Sequence, residues 1–254
     1  MSGLTIFFVI YAYVAIAVFI LGFLYRIWKF GKTPAPLKID QTPAPTSDGG
    51  VVGRMILEVG VFKSLLKSNR IIWLFGYMFH IGLFLALLKH FRFFFAYGPG
   101  WIAYITTFEI YAGLIMLFGL IMLFVLRLVV DRTAFISVMN DYLLLILLAA
   151  IASSGLIIKH FSRTNLTTVK EFILGIVSFN PQEMPSEVMF IIHISLVFLL
   201  FIYFPFSKLM HSGGVFFSPT RNQVDNPRDR RWVNPWGKAP ENIEIASNMT
   251  QDEG

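Results

Sequence analysis

Ile71–Phe95, IIWLFGYMFHIGLFLALLKHFRFFF, is apolar for long enough to cross a bilayer as a helix, yet it carries His80 and His90. A helix spans the hydrocarbon core with roughly 17–25 residues, and a polar side chain placed there carries a cost. A second span supplies a counterpart. Glu187–Phe204 carries His193, and His211 follows just past its end, eighteen residues on. The bland explanation of a single membrane histidine is packing between helices. Four of the chain's five histidines placed two by two ask for more. Ten residues of helix separate His80 from His90 by about 15 Å, so one compact metal site cannot use both. Two helices that each offer two imidazoles instead suit two stacked haems.

The rest of the chain fits a membrane setting. Of its 254 residues 56% are hydrophobic and only 14% charged, where a soluble domain carries about 25% charged. There is no cysteine, so iron–sulfur clusters, thiolate chemistry and disulfides held by this chain are excluded. Five spans are expected: Leu4–Trp28, Ile71–Phe95, Trp101–Val130, Asp141–Ile158 and Glu187–Phe204. The first lacks a basic leader and a small-residue cleavage site, and reads as a retained span. Asn140 and Asp141 are plausible caps for the fourth, and Pro205 marks the break after the fifth. The expected fold is an all-α integral membrane bundle of five helices.

Lys and Arg placement orients it. Arg26, Lys29, Lys32, Lys38, Arg54, Lys63, Lys67, Arg70, Arg127, Arg132, Lys208, Arg221, Arg228, Arg230, Arg231 and Lys238 fall on one side, against Lys89, Arg92, Lys159, Arg163 and Lys170 on the other. The positive-inside rule puts the N-terminus outside and the C-terminus in the cytoplasm, in a multi-pass protein of the cell membrane. The net charge of +6 sits beside membrane spans and does not suggest nucleic acid. Residues 1–212 then form the membrane domain, with a cytoplasmic linker loop at 29–70, and 213–254 a cytoplasmic tail suited to docking a partner. The Pro/Thr-rich part of the loop (33–50) reads as flexible, Val52–Asn69 as a helix lying on the inner surface, and Thr167–Phe179 as a short interfacial helix outside.

With that orientation, height matching pairs His90 with His193 near the outer face and His80 with His211 near the inner one. One strain remains. Eighteen residues of straight helix span about 27 Å, not 15 Å, so a bend at Pro205 has to fold the Lys208–His211 turn back. Near the outer pair, Lys89 and Arg92 are candidates to contact a quinone carbonyl or haem propionates, or simply snorkel. Glu109 is an intramembrane carboxylate, a candidate to take a proton from quinol or to pair with those cations. His160, beside Lys159, is not needed for ligation. Ser153, Ser154 and Gly155 allow close helix packing, or leave room for a cofactor.

The spacing of ten in the second of five spans and of eighteen in the fifth resembles the gamma subunit family of respiratory nitrate reductase, five-helix dihaem cytochromes b that oxidise quinol. The resemblance maps its four ligand positions onto His80, His90, His193 and His211, with the same pairing. The tail GGVFFSPTRNQVDNPRDRRWVNPW (213–236) resembles the DsrM-type subunit of the sulfite-reduction-associated DsrMKJOP complex. That implies two haem b, a quinone or menaquinone substrate, and a cytoplasmic iron–sulfur partner of heterodisulfide-reductase type. Other membrane or extracytoplasmic redox subunits, and a link to dissimilatory sulfite or sulfate metabolism, are implied by the same likeness. The expected function is an electron-transfer subunit of an oxidoreductase complex. The competing reading is a non-redox anchor or a small transporter with histidines as proton relays.

Overall fold

A computed structural model of the chain describes residues 1–35, 39–95, 100–101, 109–162 and 164–226, with only the backbone at 109–110. The described residues form helices and turns. Helix α1 spans Gly3–Lys32, α2 Asp48–Val61, α3 Lys63–Ser68 and α4 Arg70–His90, which a 3-10 turn extends to Phe93. Then come α5 (Glu109–Val129), α6 (Asp131–Phe135) and α7 (Met139–Ile157), whose last turn relaxes into a π-helical turn, Ile158–Ser162. Helix α8 covers Leu166–Val177 and α9 Val188–Tyr203.

Five of these segments are long and apolar enough to cross a membrane: Gly3–Lys32, Arg70–Phe93, Tyr111–Val129, Met139–Ser162 and Val188–Phe206. At most 28% of any one of them is buried inside the protein. Side chains such as Phe7, Leu21, Phe84, Phe118 and Leu143 face outward, an apolar surface that suits lipid. The expected third span begins at Trp101, but residues 102–108 lie outside the described ones. At the start of α7 the cap is Val138, not Asn140 or Asp141. Asp141 sits one turn inside, where its carboxylate accepts the Val138 N–H at 3.1 Å.

The chain divides into two compact units, residues 1–26 with 61–212, and 27–60 with 213–254. Among the described residues of the first, two apolar clusters form. Phe8, Ala12 and Ala15 of α1 pack with Val169 and Phe172 of α8 and with Phe190, Ile194 and Phe198 of α9. Phe79 of α4 packs with Met116 and Leu120 of α5 and Leu145 and Leu148 of α7. Two glycines let α4 and α5 nearly touch. A Cβ on Gly82 would lie 2.7 Å from Ala112 O, and one on Gly119 2.8 Å from Phe75 O. Without a hydrophobic drive between helices in lipid, such close backbone approach is how they gain attraction.

In the second unit the loop after α1 is held by the tail. Gln41 N–H donates to Thr220 O at 2.9 Å, Asp225 N–H to Pro45 O at 2.8 Å, and Phe30 meets Phe217 at 6.2 Å between ring centres. The surface helix expected over Val52–Asn69 is present in two pieces. The break falls at Phe62, whose φ of 52° is left-handed. The helix expected at Thr167–Phe179 forms as α8, capped by Asn165, whose side chain accepts the Thr167 N–H.

Candidate functional site

The four spaced histidines meet in two pairs. His90 and His193 stand with ring centres 6.4 Å apart and planes inclined by 20°. His80 and His211 stand 6.0 Å apart with planes at 82°. With roughly 2 Å per nitrogen–metal bond and the ring centre about 1 Å behind its nitrogen, two imidazoles facing across one ion have centres roughly 6 Å apart. Both pairs match that separation.

Each ring is also turned by a hydrogen bond at Nδ1. His80 donates to Gly76 O at 2.7 Å, His90 to Ala86 O at 2.6 Å, and His211 to Lys208 O at 2.7 Å. A carbonyl oxygen only accepts, so Nδ1 carries the proton in all three. His193 reaches the same state by another route. Its Nδ1 lies 2.9 Å from Ser154 Oγ, and that hydroxyl donates to Ile151 O at 3.0 Å, so the serine accepts from the ring. Nε2 is thereby left in each ring with its lone pair, the nitrogen a metal would take. A second hydrogen bond of this kind orients a ligating imidazole and raises its basicity.

None of the four rings is fully buried. Among the described residues no three His, Asp or Glu side chains gather as a metal cage. The donors come in twos, which suits a porphyrin, since the macrocycle itself supplies four nitrogens. The residues present therefore fit two haems with bis-histidine ligation.

The surroundings differ between pairs. Phe62 and Phe79 flank His80 edge-on, at 4.8 and 4.7 Å between ring centres. Beside His90, Lys89 is buried, only 6% exposed, and the Arg92 guanidinium lies over the Phe93 ring at 4.7 Å. Lys159, from the π-helical turn, comes close enough to interact with both Lys89 and Arg92. Sequence reasoning did not join it to that pair, because a π turn shifts the register of a helix end. His160 is exposed and meets Phe161 at 6.5 Å. Glu109 begins α5, and its side chain lies outside the described residues, as do Arg228, Arg230 and Arg231 of the tail.

Ser154 and Gly155 gain a specific role. Ser154 holds the His193 ring, and a Cβ on Gly155 would lie 3.3 Å from His193 Cε1. The small residues on α7 thus make room for an imidazole as well as for packing.

Paired, pre-oriented imidazoles from α4, from α9 and from the turns after it are an arrangement suited to holding a metal cofactor between facing helices. Comparison with known proteins is more specific. Residues 62–227 match the nitrate reductase gamma subunit family. A curated relative from Archaeoglobus fulgidus, described as an Hdr-like menaquinol oxidoreductase cytochrome b-like subunit, is 36% identical, covering 92% of this chain and 84% of its own. A protein of the same description from Archaeoglobus profundus is 30% identical, covering 90% and 82%. The chain belongs to the nitrate reductase gamma subunit family, and it is a multi-pass membrane protein of cytochrome b type.

Proposed function

We propose that this chain is the dihaem membrane subunit of a menaquinol-linked redox complex, exchanging electrons between the quinone pool and an iron–sulfur protein on the cytoplasmic side. The observation that carries the reading is the meeting of four spaced histidines in two pairs at 6.0 and 6.4 Å, each ring with its Nδ1 proton engaged. The two Archaeoglobus relatives, described as menaquinol oxidoreductase cytochrome b-like subunits, support it.

His80 with His211 would hold one haem, and His90 with His193 the other. In this reading, which follows the positive-inside rule, the first pair lies toward the cytoplasm and the second toward the outside. Haems supply one-electron carriage when bound. The chain's residues do the rest. Ser154 and the three backbone carbonyls fix ring orientation. Lys89, Arg92 and Lys159 place positive charge beside the outer pair, suited to a quinone oxygen or to propionates. Glu109 is assigned to receive a proton on the same side. A cysteine-free chain has to borrow its iron–sulfur acceptor, and the tail is the docking strip offered to it, a partner of heterodisulfide-reductase type. The link to dissimilatory sulfite or sulfate metabolism rests on the tail resemblance alone.

A visible spectrum of the purified full-length protein tests the reading. A reduced b-type spectrum is expected, with about two haems per chain, falling to about one in His80→Ala and in His90→Ala. A folded, colourless protein would favour the anchor or transporter reading instead.

A further inference from the structure

We propose that Asp141 is the positioning residue for the His80–His211 pair, acting through Lys208. The inference rests on the two-haem reading above and extends it to a residue that touches neither ring.

A straight helix would carry His211 about 27 Å beyond His193, whereas its partner His80 lies about 15 Å from His90 along α4. The chain leaves the straight α-helical path in three steps. Helix α9 stops at Tyr203, and Phe204–Phe206 form a 3-10 turn around the fully buried Pro205. Ser207 is extended, with φ −109° and ψ 174°. Lys208–Met210 then make a second 3-10 turn, begun by Ser207 Oγ accepting the Leu209 N–H at 3.2 Å. The turn runs on into the short helix His211–Gly214, and its Met210 is buried, but segments this short hold little energy of their own, because helical structure gains stability only as it lengthens. A polar anchor on another helix adds to that packing.

Lys208 provides the attachment. Its carbonyl accepts the His211 Nδ1 proton at 2.7 Å, and its ammonium donates to Asp141 Oδ2 at 2.7 Å. One residue thus joins the ligand ring to a carboxylate on a different helix. The Asp141 side chain is only 3% exposed, whereas that of Lys208 is 63% exposed. The carboxylate is the desolvated partner and the one that requires a cation. Arg127 stands farther off, at 3.7 Å, with its Nη1 donating to Ser137 Oγ at 2.6 Å. The short contact to Asp141 is left to Lys208. Asp141 also accepts the Val138 N–H, so the anchor is fixed to the first turn of α7.

The test uses the full-length, haem-loaded protein in detergent or nanodiscs. Haem content, low-spin ferric resonance spectra and a redox titration are recorded for the wild type, Asp141→Asn, Lys208→Met and Lys208→Arg. His80→Ala and His90→Ala assign which signal belongs to which pair. In Asp141→Asn and in Lys208→Met the His80–His211 signal should fall severalfold or move in potential, while the His90–His193 signal stays. Lys208→Arg, which keeps the cation, should look like the wild type. Wild-type spectra from both Asp141→Asn and Lys208→Met would overturn the proposal, and so would equal loss of both signals in both variants. A wild type without haem would instead overturn the two-haem reading itself.

Discussion

Ser154 Oγ accepts the Nδ1 proton of His193 at 2.9 Å and donates its own to Ile151 O at 3.0 Å. The other three ligand candidates use backbone carbonyls, which no side-chain substitution removes. His193 alone adds a side-chain partner, the Ser154 hydroxyl, to the Ile151 carbonyl beside it. Ser154→Ala should therefore affect one pair and spare the other. Removing such a partner typically weakens metal binding by roughly 10–100-fold. Haem retention during dilution and the midpoint potential of the His90–His193 centre would report it. An unchanged potential would mean that the hydroxyl does not set the ring.

The two pairs differ in angle, 20° against 82°. Nearly parallel axial imidazoles split the iron d orbitals of π symmetry, whereas perpendicular ones leave them almost degenerate. Low-spin ferric resonance of the loaded protein should show two distinct signals, and His80→Ala should remove the one with the larger g anisotropy. A single type of signal from both centres would contradict the assignment.

Glu109→Gln should slow reduction of the loaded protein by a menaquinol analogue while leaving reduction by dithionite unchanged. Stopped-flow absorbance separates the two. Equal rates in variant and wild type would remove Glu109 from the quinol reaction.

At Gly119, any Cβ meets Phe75 O at 2.8 Å, and at Gly82 it meets Ala112 O at 2.7 Å. Gly119→Ala and Gly82→Ala should each destabilise the bundle by about 1–3 kcal/mol, the usual cost of overpacking. Gly76→Ala, where an added Cβ would meet no atom of another segment within 4 Å, is the control on the same helix as Gly82 and should not lower stability. Thermal unfolding in one detergent checks all three.

Glu183, in the connection before α9, accepts hydrogen bonds from the Ser2 hydroxyl at 2.5 Å, the Thr5 hydroxyl at 2.7 Å and the Ser2 N–H at 3.1 Å. These donors pull its carboxyl from 4.5 to about 2. A lowered pKa contributes stability above the unfolded value, and that contribution is lost as pH falls from 4.5 toward 2. Glu183→Gln should thus lower the melting temperature near neutral pH, and the gap to the wild type should close as pH approaches 2. A gap that did not depend on pH would show that shape, not charge, holds this contact.

Much of this architecture is legible in the sequence because helix geometry is regular. Ten residues on α4 fix the rise between His80 and His90, and an antiparallel partner dictates which histidine each one meets. The break at Pro205 is legible too, since proline cannot continue the ladder. The path of the chain beyond Pro205 is not. Nothing local in SKLMH says that Lys208 will reach Asp141, because that contact joins positions 67 residues apart. Asp141 itself reads as a helix cap, and only tertiary packing turns it toward a lysine beyond α9. Ser154 and Gly155 read as packing residues for the same reason, since a hydroxyl's partner across a helix interface leaves no mark on its own segment. Glu183 carries no periodic signal at all.

One asymmetry runs through the site. His80 and His90 ride on a single uninterrupted helix, whereas His193 and His211 ride on two segments separated by the Pro205 turn. Helix α4 therefore acts as a ruler. Its ten residues set the spacing of His80 and His90, and no break along it allows that spacing to change. Electron tunnelling falls off steeply with distance, so in the two-haem reading the distance between the centres, and with it that part of the rate, is set when the helix forms. Any tuning of this subsystem by a bound partner has to work through driving force, by altering one pair's surroundings, rather than by moving the sites apart.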